Sequence, residues 1–351
     1  MDSLKKYLKY KEKYLALKNQ MYGITMINKN LELDNNQIGS GKKTTFSVVT
    51  YNVFGTTEEG KYIHERLDHI ISEIFSKGEP DIICLQEATD IVIDKIAKEY
   101  PKYNIWTKLE VIDKVNIKQD ELKMVKEDGY ITILSKHKYN EKELVYAGSF
   151  YDDGIMRVDI KIHNIPITIY NVHTSGGTFG KSEQVVKKKQ LSRINELSLL
   201  NASLFKTINS GKKDIIVMGD FNYDSNDLDH YIEGNISPEY ILDNYNNLKC
   251  KDIWPMLKKK QIGATEDEII NTFRAAMKIK DKKDKRQCRY DKIIGIMDNI
   301  KPIKIELIGN SEIDKKVEVI GKDEKNNKFK TKTKLFPSDH FGLYCEFDFI
   351  L

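Results

Sequence analysis

The sequence predicts an α/β fold, on three observations. From Phe46 onward, short apolar runs alternate with stretches of helical periodicity. The run DIICLQEA (81–88) is almost continuously apolar, as expected of a strand covered on both faces. Four apolar runs also carry polar residues at their ends: Asn52 in TYNVF, Glu87 in ICLQE, His173 in IYNVH, and Asp220 with Asn222 in IVMGDFN. Sheets present their strand ends together, so these groups can converge on one rim, where α/β folds place ligands.

In chain order, FSVVTYNVF (46–54) reads as a strand. Residues 62–76 put Ile63, Leu67, Ile70, Ile71, Ile74 and Phe75 on one helical face. YITILS (130–135) and two runs within 154–172 read as strands, and 181–208 as a long helix. The runs DIIVMGDFN (214–222), YDKIIGI (290–296), PIKIELIG (302–309), KKVEVIG (315–321) and FGLYCEFDFI (341–350) complete the pattern. No internal repeat is evident.

Residues 1–26 stand apart. Tyr7, Tyr10, Tyr14, Leu17 and Met21 follow spacings of three and four, the seam of an amphipathic helix with a lysine face. Such a leader suits a protein partner or a surface, or is a solvated helix. Its Lys/Tyr/Leu style resembles leaders on proteins of large DNA viruses. Residues 27–45, polar and with Gly-Ser-Gly, read as a linker, and 46–351 as the main folded domain.

The bulk numbers exclude more than they select. With 351 residues, 40% hydrophobic and 31% charged, the chain suits a soluble globule. No apolar run is long enough for a membrane span, and the N-terminus lacks a secretory core. A net charge of +4 favours no partner class by itself. Cys84, Cys250, Cys288 and Cys345 form no CxxC pair, so a cysteine zinc site is not expected, and the simpler reading is a reducing intracellular compartment. A viral origin would place the protein in the virion or in host cytoplasm or nucleus.

The polar strand ends suit hydrolysis of a phosphodiester. Taken singly, each has a structural explanation: a satisfied amide for Asn52, a helix cap for Glu87, a core imidazole for His173. Asp220 and Asn222 are sharper, because a spacing of two puts both on one face of an extended segment. Ser338-Asp339-His340 after Pro337 sets a carboxylate beside an imidazole. Together, Glu87, Asn52 and Asp339 could offer oxygen ligands to a hard divalent cation. Asp220 could activate water, and His173 and His340 could bind phosphoryl oxygens or protonate the leaving group. No Gly-x-Ser-x-Gly elbow, Walker loop or dinucleotide fingerprint competes.

In order and spacing, TYN (50–52), LQE (85–87), NVH (171–173), GDFN (219–222), YDKI (290–293) and SDH (338–340) resemble the endonuclease/exonuclease/phosphatase superfamily, over about 46–351. The resemblance implies a deoxyribonuclease-I-like, four-layer α/β sandwich with two packed central sheets, and dependence on Mg²⁺ or Mn²⁺. It assigns Glu87 as the principal metal ligand with Asn52 beside it, and Asp220 and Asn222 as the pair that orients and activates water. It assigns His340, held by Asp339, and His173 as the phosphate-contacting histidines. IELIG (305–309), CRYDKI (288–293) with NTF (271–273), and PSDHFGL (337–343) resemble the tyrosyl-DNA phosphodiesterase 2 group, which cleaves 5′-phosphotyrosyl bonds to DNA. One departure is Asn52-Val53-Phe54, where that group commonly has Asn-x-Asp. Inositol polyphosphate phosphatases and neutral sphingomyelinases share the core; Tyr223 after GDFN resembles the former, whose Trp-Cys-Asp-Arg motif is missing here.

The substrate expectation is therefore nucleic acid. The run KIKDKKDKRQCR (278–289) is a basic loop before the YDKI strand, suited to a phosphate backbone or simply to solvent. Arg157 in GIMRVDI is expected to face the cleft as a substrate-binding residue, with Asn52 and Asn222. Lys322–Lys334 reads as a flexible basic loop, and Trp254 as a packing residue.

Overall fold

The computed structural model describes residues 45–58, 61–112, 126–147, 153–176, 183–224, 250–277, 285–322 and 327–350. The expected leader and, except for Thr45, the linker lie outside them. Among the described residues, two six-stranded mixed sheets form the centre. The first has the order β13-β16-β1-β2-β4-β3, built from β1 (Thr45–Asn52), β2 (Ile82–Ala88), β3 (Asn104–Thr107), β4 (Tyr130–Ser135), β13 (Ile300–Ile308) and β16 (Gly342–Phe349). The second has the order β5-β6-β7-β8-β12-β9, from β5 (Glu141–Tyr146), β6 (Gly154–Ile162), β7 (Ile165–His173), β8 (Asp214–Asp220), β9 (Lys251–Asp252) and β12 (Asp291–Met297).

Each sheet contains one parallel pair, β1 with β2 and β7 with β8. A parallel pair needs a crossover. Helix α1 (Ile63–Ile74) lies between the first two strands in sequence, and the long helix expected at 181–208, here α4 (Glu183–Asn209), between the second two. Two further helices, α2 (Asp90–Glu99) and α3 (Leu109–Ile112), sit in the first half.

Period-two alternation sorts every strand between two cores. On β1, Phe46 and Val48 face the second sheet, whereas Val49 and Tyr51 face α1 and α2. The central core joins Ile82, Cys84, Ile131 and Ile133 of the first sheet to Met156, Val158, Ile169, Ile216, Met218 and Ile293 of the second. Tyr170, Val172, Ile215 and Val217 point the other way, onto Leu197, Leu200 and Leu204 of α4. The result is helix, sheet, sheet, helix, the layering expected from the resemblance.

A buried polar tie crosses the sandwich. Gln86 Nε2 donates to Asn171 Oδ1 at 2.7 Å and Thr50 Oγ1 at 3.1 Å. Asn171 Nδ2 donates to the carbonyls of Leu85 and Thr132 at 2.9 and 2.8 Å. These amides sit one turn of the pleat below the polar strand ends and fix the separation of the two sheets there. Cys84 and Cys345 are buried in their strands, and burial pushes both thiols up. Trp254, in α5 (Ile253–Leu257), packs into the central core and donates Nε1–H to the Gln261 carbonyl at 3.0 Å.

One expectation is corrected. Residues 328–335, read as loop, form strand β15 (Lys328–Leu335), antiparallel to β14 (Ile313–Lys322). The sequence KFKTKTKL does alternate, but Thr and Phe take the inward positions of a half-exposed strand, and its lysine content masked the period. This ribbon rests on α6 (Thr272–Met277), with Phe273, Val317, Val319, Leu335, Phe336 and Phe341 in a small core of their own.

Candidate functional site

The inward positions at one end of both sheets are polar. On the first sheet they are Asn52 and, past a local irregularity of β2, Glu87. On the second, register aligns His173 of β7 with Asp220 of β8, and Asp220 with Asp291 of β12. Three adjacent strands thus deliver an imidazole and two carboxylates side by side.

Hydrogen bonds join the two rims. Asn52 Nδ2 donates to Glu87 Oε1 at 2.9 Å and to Asp220 Oδ2 at 3.1 Å. Its Oδ1 accepts from Phe54 N at 3.1 Å, so the amide oxygen is turned out of the cluster. Asp220 is 1% exposed, and its Oδ1 accepts from Asn222 N at 2.7 Å. Asn222 Nδ2 reaches Asp220 Oδ2 at 3.3 Å and the Thr174 carbonyl at 2.9 Å. His173 Nε2 lies 3.6 Å from Asp220 Oδ2 and 3.8 Å from Glu87 Oε1.

Local backbone geometry is strained here. Phe54, Glu87 and Asn222 have φ of 48°, 51° and 48°. Left-handed backbone at non-glycine residues costs about 1–3 kcal/mol each and gathers at functional sites. The loop after His173 approaches closely: a Cβ at Gly176 would stand 2.2 Å from Asn222 Oδ1.

His340 comes from the loop after β15. Its Nδ1 lies 2.8 Å from Asp291 Oδ2, and its Nε2 3.9 Å from Asp220 Oδ2. Burial alone would favour the neutral ring, but Asp291 and Asp220 outweigh it and hold the imidazole well above the usual histidine range. The pair's proton therefore belongs on His340.

The expected partner, Asp339, is not the one that holds His340. Adjacent side chains diverge, and Asp339 Oδ2 instead pairs with Arg274 Nη1 of α6 at 2.7 Å. Arg274 also pairs with Glu266 Oε2 at 2.5 Å, in the short strand β10 (Glu266–Asp267). Asp339 thus stands beside the cluster with one oxygen committed to a cation. Asp291, Glu266 and Arg274 were missed; only Asp291 had a signal, as the acid in YDKI. Ser338 matters too: its Oγ–H donates to the Asn52 carbonyl at 2.7 Å, tying the His340 loop to β1.

Arg157 is corrected outright. Met156 and Val158 face the central core, so alternation turns Arg157 to the outer face. There it pairs with Glu143 at 2.6 Å, Glu141 at 2.9 Å and Asp159 at 2.5 Å. In the basic run, 278–284 lie outside the described residues; Arg289 pairs with Asp252 at 2.7 Å, and Arg286 faces Glu268 at 3.7 Å and Glu266 at 3.9 Å.

Carboxylates are dense in this cluster: Glu87 and Asp220 lie beside His173, Asp220, Asp291 and Glu266 beside His340, and Glu266 and Asp339 beside Arg274. Buried carboxylates so close repel unless a cation joins them. Asp220, Asp291 and His340 bring ligand atoms within 4.8 Å of one another. With Nδ1 of His340 held by Asp291, the hard carboxylate oxygens of Glu87 are the better donors to a cation.

The sequence pattern of the Endonuclease/Exonuclease/phosphatase family matches residues 49–244. The chain belongs to this family. Its members are hydrolases acting on phosphoester bonds. Among solved structures, TDP2 of D. rerio complexed with single-strand DNA product aligns at a TM-score of 0.60 and 17% identity, over 87% of this chain and 100% of that one. TDP2 of C. elegans gives 0.59 and 17%, over 87% and 75%. An endonuclease/exonuclease/phosphatase family protein from Bacteroides thetaiotaomicron gives 0.54 and 14%, over 88% and 99%. At these identities the likeness shows the deoxyribonuclease-I-like fold. Comparison with curated proteins gives no match.

Proposed function

We propose that the protein is a Mg²⁺- or Mn²⁺-dependent phosphodiester hydrolase that acts on nucleic acid, with 5′-phosphotyrosyl DNA the leading substrate. The observation that carries this reading is the pairing across the sandwich of a fixed carboxylate, Asp220, with a charged imidazole, His340, beside Glu87.

Asp220 is suited to take a proton from an attacking water. Its Oδ1 is fixed by the Asn222 amide, and Asn52 and Asn222 orient Oδ2. General-base help of this kind contributes typically about 10²–10⁴-fold. His340, held at Nδ1 by Asp291, is suited to offer Nε2–H to a phosphoryl oxygen. His173 supplies a second imidazole from the neighbouring strand. Glu87 is the residue best placed to hold the cation, with Asn52 orienting its carboxylate. When bound, a divalent cation there neutralises charge developing on the phosphoryl oxygens.

The DNA preference rests on the motifs around SDH and YDKI and on the structural neighbours named TDP2, one of them complexed with single-strand DNA product. Phe54, in place of an acid, removes one negative charge from the Glu87 side of the site. The discriminating experiment compares turnover of a 5′-phosphotyrosyl oligonucleotide, an inositol phosphate and sphingomyelin at equal concentration with Mg²⁺. The proposal expects preference for the oligonucleotide; preference for either of the others would transfer the same catalytic centre to that substrate class.

A further inference from the structure

We propose that the outer face of the ribbon β14–β15 is a docking surface for the phosphate backbone of a nucleic-acid strand leading out of the active centre. This rests on the nucleic-acid reading of that centre.

The register decides which residues share the face. Lys316 pairs with Lys334, Glu318 with Lys332, and Ile320 with Lys330. Val317, Val319 and Leu335, at the alternate positions, are buried against α6. Lys316, Lys328, Lys330, Lys332 and Lys334 therefore project away from the core, with Glu318 the acid among them. Lys330 pairs with Glu318, and Lys334 with Glu312 and Asp314. Lys316 and Lys328 are exposed and make no ion pair with an acid among the described residues; Lys332, also exposed, makes none but stands opposite Glu318, whose carboxyl is held low chiefly by Lys330 and also by Lys332.

This arrangement leaves an excess of positive charge on one face. Lys316 stands directly opposite Lys334, where like charges repel, although Glu312 and Asp314 offset Lys334. An isolated two-stranded ribbon is itself marginal. Fitting it onto α6 while loading its free face with lysine makes sense if a polyanion meets that face.

Position and spacing name the polyanion. β15 runs through Phe336 and Pro337 straight into Ser338-Asp339-His340, and Arg274 of the helix beneath it holds Asp339. The lysines leave the site along one strand, Lys334, Lys332, Lys330 and Lys328 in turn. Alternate residues on a strand are about 6.7 Å apart, so the row offers a positive charge at regular steps along which an extended, multiply charged backbone can lie. Other basic positions differ: Arg286 and Arg289 face Glu266, Glu268 and Asp252.

The test is binding of a labelled single-stranded oligonucleotide of about 20 nucleotides, long enough to reach from the centre along the ribbon. The full chain is compared with the triple variant Lys316→Gln, Lys328→Gln, Lys332→Gln. A control triple, Lys161→Gln, Lys213→Gln, Lys301→Gln, removes the same charge at exposed positions toward the opposite end of the sheets. Fluorescence anisotropy is followed from about 50 to 200 mM salt. The ribbon triple should weaken binding about tenfold and lower the log–log salt slope by roughly two, since each single-strand contact contributes about 0.7. The control triple should change little, and Lys→Arg at the three ribbon positions should bind as the original chain does.

Equal losses in both triples would reduce the effect to net charge and overturn the proposal. So would unchanged binding by the ribbon triple, including the case where it merely precipitates faster, which would make the lysines guards against edge pairing. Wild-type binding to phosphatidylserine vesicles but not to the oligonucleotide would overturn the nucleic-acid occupant. Turnover separates the two readings. A chain that binds through the ribbon yet cleaves no nucleic-acid ester sinks the catalytic reading alone. One that cleaves with no dependence on the ribbon sinks the ribbon alone.

Discussion

His340 owes its charge to Asp291, and that contact predicts a pH profile. The folded-state pKa of His340 is raised, so the charged form contributes stability fully below the unfolded value of about 6.5 and loses it as pH rises through the folded value. Activity that needs the imidazolium should therefore persist well above neutrality. Asp291→Asn removes the largest charge favouring it. The alkaline limb of the kcat profile should then move toward neutral pH, with kcat recovering at lower pH. An unchanged limb in the variant would mean that His340 is not the titrating group. This partner was not legible in the sequence. Asp291 and His340 are 49 residues apart, while Asp339 is adjacent, and adjacency in a loop does not bring side chains together.

At the scale of elements, the site depends on two chain ends being clamped. Arg66 of α1 is fully buried, donating to the carbonyls of Val53 at 3.1 Å, Phe54 at 2.5 Å, Pro337 at 2.7 Å and Lys61 at 2.8 Å. It ties the end of β1 to the loop that carries His340. Burial lowers its pKa to about 10, which leaves it charged at neutral pH. Arg66→Met keeps the bulk and strands these carbonyls, each worth about 1–3 kcal/mol when buried unpaired. A net loss of about 3 kcal/mol lowers the melting midpoint by roughly 5 °C in a domain of about 300 residues. Calorimetry checks the first effect, and kcat at a temperature where the variant is folded checks the second, which should also fall. The helical periodicity of 62–76 was plain in the sequence, but an arginine inside it reads as solvent-facing. Only its carbonyl partners, up to 271 residues away, show otherwise.

The whole molecule repeats that contrast. Strands of both sheets were legible because a doubly covered strand is continuously apolar, and the strand-end positions of Asn52, Glu87, His173 and Asp220 followed from them. Helix α2, the edge strands β3 and β5, and β15 were not, since short or half-exposed elements carry weaker patterns. Arg157 was misplaced because alternation fixes a face only once the core side is known. The Gln86–Asn171 tie lay hidden inside motifs that advertise their neighbours. The compact unit Lys43–Leu351 contains the whole candidate site. Removing residues 1–40 should thus leave turnover and melting unchanged, and a lost melt would show that the leader belongs to the core.

The central claim is that Asp220, with a divalent cation held at Glu87, hydrolyses a phosphodiester. Its most direct test is cleavage of a 5′-phosphotyrosyl single-stranded oligonucleotide by the unaltered chain and by Asp220→Asn, each with Mg²⁺ and with EDTA. Cleavage should require both metal and Asp220, with the variant slower by about 10²-fold or more and its melt nearly unchanged. Near-original turnover by Asp220→Asn, or full activity in EDTA, would contradict the account.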